Sequence, residues 1–166
     1  DEIGFKEIEI NLKNSVNNVE ISVTKLDAKP ASITHEITGK VYQYIEIKKE
    51  NIKDEDINNA VIEFKIEKEW LLSSNAGEND AVLNRYVNSW EELETSKISS
   101  DETYAYYKAI TPSFSYFAIS VKEKPVPEVV KLLEEQKKQV YQQLIDADAI
   151  MQELSGQAQS IYQQIE

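Results

Sequence analysis

The chain has 166 residues, of which 41% are hydrophobic and 9% aromatic, and its formal net charge is −12. This length predicts one compact domain with an appendage, or two small domains. The acidic excess argues against a nucleic-acid or anionic-membrane surface, because both require clustered basic residues. No cysteine is present, which excludes a disulfide framework, a thiolate nucleophile and a cysteine-based metal site.

Residues 1–124 contain segments in which apolar and polar residues alternate with a period of two. This period indicates strands with one buried and one solvated face, and two such sheets packed face to face form a sandwich. A less regular segment at 82–87 is expected to be a further strand. We therefore predict a mainly β fold, an antiparallel β-sandwich of about seven strands. Clear alternation occurs at 5–12, 19–24, 41–48, 62–67, 103–110 and 115–121.

The composition changes at Pro125-Val126-Pro127, and residues 128–166 contain no proline and many good helix formers. The predicted domains are therefore 1–124, the sandwich, and 125–166, a long amphipathic C-terminal α-helix. Its apolar residues recur at alternating spacings of three and four, which is the heptad pattern of a coiled coil. The expected helix interface comprises Val130, Leu133, Val140, Leu144, Ala147, Met151, Leu154, Ala158, Ile161 and Ile165.

Two features leave the geometry of this helix open. Lys137 occupies a seam position, where it either specifies register or marks a break. Ser155-Gly156 is a candidate kink, since glycine costs about 1 kcal/mol in a helix, and a helical hairpin is the alternative to one straight helix. A helix folded back on its own sheet, leaving a monomer, is the alternative to self-association.

Several short segments between residues 41 and 119 occur in an order typical of one family. They are VYQYIEI (41–47), KDEDI (53–57), KEWL (68–71), NRY (84–86), WEEL (90–93) and TPSFSYFAI (111–119). Over about residues 5–122 the chain resembles the PGF-pre-PGF domain of archaeal cell-surface, S-layer-associated proteins. It departs from the usual family pattern at Ser89 and Ser113, where glycine is usual. The resemblance implies a surface module without catalytic residues, and the C-terminal helix lies outside it.

Two oxygen-rich loops carry the ligand types that Ca²⁺ takes: Asp54 and Asp56 in one, Asn75 and Asp80 in the other. The spacing of an EF-hand is absent from both. For the first loop the alternative is a capped turn, with Asp54 as the N-cap of a short helical segment. We predict no metal and no cofactor, with these four residues as the calcium candidates.

The sequence offers no recognisable catalytic set. His35, the only histidine, has no evident nucleophile or orienting partner, and no phosphate-, nucleotide- or zinc-binding motif occurs. We therefore predict that the protein is not an enzyme. Arg85 is expected to form an ion pair of little energetic weight with Glu91 or Glu92. The aromatic residues are expected to pack on the sheets, with a glycan-binding platform as the alternative; they are Tyr42, Tyr44, Tyr104, Tyr106, Tyr107, Phe114 and Tyr116.

These observations lead to two functional hypotheses. The first is a structural and interaction module of a secreted or surface-anchored archaeal protein, whose helix mediates oligomerisation or forms a stalk. The partner would be a second copy or another surface protein, and any membrane anchor would lie outside this sequence. The alternative is a glycan- or calcium-binding β-sandwich of a surface adhesin. The expected location is extracellular, and no nucleic-acid partner is expected.

Overall fold

The computed structural model describes residues 3–122 and 128–165 of the chain. The chain divides into two compact units, Asp1–Lys124 and Pro125–Glu166. The first consists of two antiparallel sheets, and the second is a single long helix. The predicted β-sandwich followed by a long C-terminal helix is confirmed, whereas the predicted proline break at 125–127 lies outside the described residues.

Nine strands and two α-helices make up the described elements, beside one 3₁₀ turn at Asp54–Asp56. One sheet contains the first, fourth, eighth and seventh strands in that order, and the other contains the second, third, ninth, fifth and sixth. In chain order the elements are β1 (Phe5–Leu12), β2 (Glu20–Leu26), β3 (Lys40–Glu50), β4 (Ile57–Glu67), α1 (Lys68–Ser73), β5 (Ala81–Tyr86), β6 (Trp90–Glu92), β7 (Thr95–Ser100), β8 (Tyr104–Thr111), β9 (Tyr116–Val121) and α2 (Glu128–Ile165).

The core lies between the inner faces of the two sheets. Phe64 of β4 is fully buried, and its ring stacks on Tyr107 of β8 with the centroids 5.2 Å apart. The Phe5 ring lies 6.5 Å from that of Phe64 and 6.1 Å from that of Phe117, so it joins the two sheets. Alternation along β3, β4 and β9 supplies most of the rest, because every second side chain points inward. The fully buried aliphatic residues of these strands are Ile45, Ile57, Ile62, Ile66, Ile119 and, with 2% exposure, Val121.

Two strands and the short helix α1 were not predicted from the sequence. β6 has only three residues. β7 has the sequence TSKISS, in which only the first residue is partly buried and the other five are exposed. Both are edge strands, each paired on one side only. An edge strand that buries no face carries no apolar alternation, so the pattern that reveals inner strands is absent there. In α1, six residues long, only Leu71 is buried, which is too little for a helical period.

The turn before β4 differs from the prediction in its cap. Residues Asp54–Asp56 form a 3₁₀ turn, as the capped-turn interpretation requires, but the N-cap is Lys53 and not Asp54. The carboxylate of Asp56 accepts the Lys53 backbone N–H at 3.3 Å. The prediction that Asp54 caps this turn is therefore wrong, because the turn begins one residue earlier than predicted and its third residue, Asp56, accepts the backbone N–H of the cap.

Asp101 closes the connection between β7 and β8. Its Oδ1 accepts the backbone N–H groups of Thr103 at 2.8 Å and Tyr104 at 2.7 Å. Its Oδ2 accepts the Tyr106 hydroxyl at 2.6 Å. The Tyr106 hydroxyl, followed by the two backbone N–H groups, holds the pKa of Asp101 below its ordinary value.

We expect Asp101 to make the sandwich acid-sensitive. The pKa of Asp101 is lower in the folded state than in the unfolded state, where a carboxyl group has a pKa of about 4. Its contribution to the free energy of unfolding is therefore complete above the unfolded-state pKa and is lost as the pH falls through the folded-state pKa. Urea unfolding at pH 7 and at pH 3 should therefore show a smaller loss of stability on acidification for Asp101→Asn than for the wild type. Glu102→Gln, in the same turn, is the matched control. An equal change in both variants would contradict the assignment.

Candidate functional site

The helix α2 is continuous from Glu128 to Ile165, 38 residues in all. At 1.5 Å per residue it is about 57 Å long. It passes through Ser155 and Gly156 without interruption, so the alternative of a helical hairpin is wrong. A Cβ placed on Gly156 would meet no atom within 4 Å, which means that neither packing nor backbone geometry requires a glycine here.

The predicted seam forms one exposed apolar stripe along α2. Leu133 is 63% exposed and Met151 is 69% exposed, and the intervening seam residues are exposed too. A contiguous exposed apolar surface of this kind is uncommon on monomeric proteins. The side chains of Val130 and Ile165 lie outside the described ones. The described seam residues are Leu133, Val140, Leu144, Ala147, Met151, Leu154, Ala158 and Ile161.

Apolar residues beside the seam widen the stripe. Tyr141, Ile145 and Ile150 are between 58% and 62% exposed. The ammonium of Lys137 lies 6.0 Å from the centroid of the Tyr141 ring, one turn further along, at the limit of a cation–π contact. Lys137 therefore interrupts the apolar seam with a charge but not the helix itself.

The calcium candidates fall into two separate places. Asp54 and Asp56 precede β4, whereas Asn75 and Asp80 follow α1 at the other end of that strand. The eleven residues of β4 span roughly 36 Å at about 3.3 Å per residue. The structure therefore does not bring the four candidates together in one site.

The carboxylates of these loops already have protein partners. Asp54 pairs with Lys49 at 3.4 Å, and Asp56 accepts the Asn14 side-chain amide at 3.2 Å. Asp80 accepts the backbone N–H of Gly77 at 2.6 Å. Within residues 3–122 and 128–165 no group of three or more His, Asp or Glu side chains is placed to hold a metal ion.

The aromatic residues do not form one platform. Trp90 packs edge-on against Tyr86 with the ring centroids 5.3 Å apart, and its ring lies 6.0 Å from that of Tyr44. Its indole N–H donates to the backbone carbonyl of His35 at 3.0 Å. Burial, and then the nearby charge of Glu36, raise the pKa of Tyr44. Trp90, Tyr86 and Tyr44 therefore pack together on the outer face of the five-stranded sheet, and Trp90 holds the segment around His35 there.

The other tyrosines lie elsewhere. Tyr107 is buried in the core, and its hydroxyl donates to the carbonyl of Glu78 at 2.8 Å. The Tyr106 hydroxyl donates to the Asp101 carboxylate. The hydrogen bond between Tyr116 and Glu46, followed by the charge of Glu46, raises the pKa of Tyr116. The aromatic set thus divides among the core, the outer faces and one end of the sandwich.

A small polar cleft of about 150 Å³ lies at the end of the sandwich where β4 ends and β8 begins. Gly4 donates its N–H to the Gln43 side chain at 2.6 Å, between residues 39 apart. A Cβ on Gly4 would lie 3.0 Å from Ile119 and 3.1 Å from that amide oxygen, so a larger residue would force them apart. The cleft is lined by Ile3, Gly4, Lys25, Tyr42, Gln43, Lys65, Glu67 and Tyr104.

The cleft offers hydrogen-bonding and stacking groups but no nucleophile with an adjacent base. The Lys65 ammonium lies over the Tyr104 ring, 4.3 Å from its centroid, and burial raises the pKa of Tyr42. The cleft was not predicted from the sequence. The available signal was Gln43, a polar residue on a face that otherwise alternates as buried aliphatics, which is the pattern of an internal hydrogen bond.

Arg85 is a charged residue that is buried in the domain. Its side chain is 10% exposed, and its two terminal nitrogens donate to Ser113 Oγ at 2.6 Å and Glu91 at 3.1 Å. Its Nε has no hydrogen-bond partner among the described residues. The predicted pairing with Glu91 is therefore present, and it joins a guanidinium that is largely removed from water to a carboxylate that is 54% exposed.

No protein-family model, curated protein or solved structure matches this chain. Over the described residues, no helix has both the length and the apolar character that crossing a bilayer requires.

Proposed function

We propose that this protein is a non-enzymatic structural and interaction module that associates through α2. The observation that carries the proposal is the exposed apolar seam, which repeats at heptad spacing over most of a 38-residue helix. The resemblance of residues 5–122 supports a place for the module in a secreted or surface-anchored archaeal protein. In such a protein the sandwich is the folded head, and the helix joins neighbouring copies or forms a stalk.

The energetics favour burial of the seam. Fully burying one Leu, Ile, Val or Met side chain contributes about 1.5–3 kcal/mol, and each seam residue is already partly covered by its own helix. Both helices of a pair contribute such residues along the whole seam. Together the buried seam side chains of the two helices contribute more than the roughly 4–15 kcal/mol that association costs in lost translational and rotational freedom.

The test is the solution mass of the full chain and two double variants, measured by light scattering over a concentration series. Leu144→Glu with Leu154→Glu places two charges in the seam. Gln142→Glu with Gln152→Glu places the same charges away from the seam. We expect an oligomer for the wild type and the control, and a monomer for the seam variant, because a buried carboxylate without a partner is strongly unfavourable.

A monomeric wild type would overturn the proposal. The fold-back alternative makes a different prediction, because a seam that packs on its own sheet lends stability to the sandwich. In that case the seam variant would lower the urea midpoint of the domain, and all three proteins would have the mass of a single chain.

A further inference from the structure

The charges of α2 are distributed unevenly along the helix. All its cations, Lys131, Lys137 and Lys138, lie in the first eleven residues. From residue 139 to residue 165 the helix contains no Lys or Arg, and its charged side chains are carboxylates, Asp146 and Glu153 among them. The first part of α2 thus holds every positive charge, together with Glu128, Glu134 and Glu135, and the rest carries only carboxylates.

The place of Lys137 in the seam bears on the direction in which two copies of α2 would pack. In a parallel pair in register, Lys137 would face its own copy across the seam, where helix axes are only about 8–10 Å apart. Two like charges at such short range destabilise the pair, most of all where water is excluded.

An antiparallel pair removes this conflict. We propose that the seam is occupied by a second copy of α2 running in the opposite direction, with the twofold axis between Ile145 and Asp146. Lys137 then lies opposite Leu154 of the other helix. The two copies of Lys137 are separated by about 25 Å along the axis, which is 17 residues at 1.5 Å each.

The same register also matches the seam side chains in size. In antiparallel helices the first and fourth heptad positions face each other, so each seam residue meets one of the other kind. Large residues then meet small ones at two levels on each side of the axis, which allows close packing without voids. The facing pairs are Leu144 with Ala147, Met151 with Val140, Ala158 with Leu133, and Lys137 with Leu154.

This inference rests on the proposed function, and spin-label distances test the two separately. The chain has no cysteine, so single substitutions label one site per chain. We choose Glu135→Cys, Ala149→Cys and Gln163→Cys, three exposed positions on the side of α2 away from the seam. Light scattering on each labelled protein verifies that the label leaves the mass unchanged.

In the antiparallel pair each label is displaced from its copy along the axis by an amount set by its distance from the centre. At 1.5 Å per residue the displacement is about 10 Å at 149, about 31 Å at 135 and about 52 Å at 163. We therefore expect three clearly different label-to-label distances, increasing in that order. Three equal distances would indicate a parallel pair and overturn this inference while leaving the proposed function intact. The absence of any pair distance would overturn both.

Discussion

Phe64→Ala is expected to destabilise the sandwich by about 3–5 kcal/mol, the range for removing a buried phenylalanine. Phe64 is fully buried in β4, an inner strand of the four-stranded sheet. Its ring packs between Tyr107 and Phe5, and Phe5 also contacts Phe117 of the opposite sheet. Truncation would leave a cavity at the point where the two sheets meet, and β4 is paired on both sides and has little freedom to close it.

A loss of this size is a large fraction of the total stability of a domain, which is about 5–15 kcal/mol. Urea unfolding followed by tryptophan fluorescence measures it, since Trp70 and Trp90 both belong to this unit. Ile110→Ala is the matched control: it lies on β8 of the same sheet, but it is 45% exposed. We expect the control to lose less than half as much. Equal losses would contradict the placement of Phe64 at the centre of the core.

Glu91→Gln is expected to destabilise the domain by about 1.5–3 kcal/mol, the worth of a hydrogen bond to a charged group. The reason lies in its partner, because Arg85 is nearly buried and Glu91 is the only carboxylate within ion-pair distance of it among the described residues. In the variant the Ser113 hydroxyl and the new amide oxygen can still accept from the guanidinium, but neither supplies a counter-charge. A buried charge without a counter-charge is unfavourable, whereas removal of both partners is often nearly neutral.

The neighbouring residue supplies the control for this prediction. Glu92 pairs with Lys122 at 2.7 Å, but both side chains are more than half exposed. Glu92→Gln should therefore change the free energy of unfolding by less than about 1 kcal/mol. Arg85→Met combined with Glu91→Gln should recover part of the loss. If Glu91→Gln and Glu92→Gln have equal small effects, then Arg85 is not held as a buried charge.

The inner strands and α2 could be predicted because their signal is local. β4 alternates Ile62, Phe64 and Ile66 with charged residues, and the burial along it follows that alternation. The heptad spacing of α2 likewise predicts a helix with an apolar stripe, and the stripe is present on a continuous helix. Where one face of an element is buried along its whole length, the period of the sequence reports that face directly.

The edge strands and the polar interior required the tertiary structure. β7 buries almost nothing, so its sequence resembles that of a loop, and only pairing with β8 makes it a strand. The Gln43 side chain accepts a hydrogen bond from the Gly4 backbone N–H, 39 residues away. The Asn84 side chain donates one to the Ser120 hydroxyl, 36 residues away. Which distant polar groups meet depends on the pairing of strands and not on local composition.

A sandwich of alternating strands and an amphipathic helix with a heptad seam could be predicted because both follow from short periods in neighbouring residues. The burial of Arg85, the placement of the calcium candidates at opposite ends of β4 and the dispersal of the tyrosines became visible only in the folded domain. Each of these depends on side chains brought together from separate strands. Burial and distance between such residues are properties of the packed sheets, and no single segment contains them.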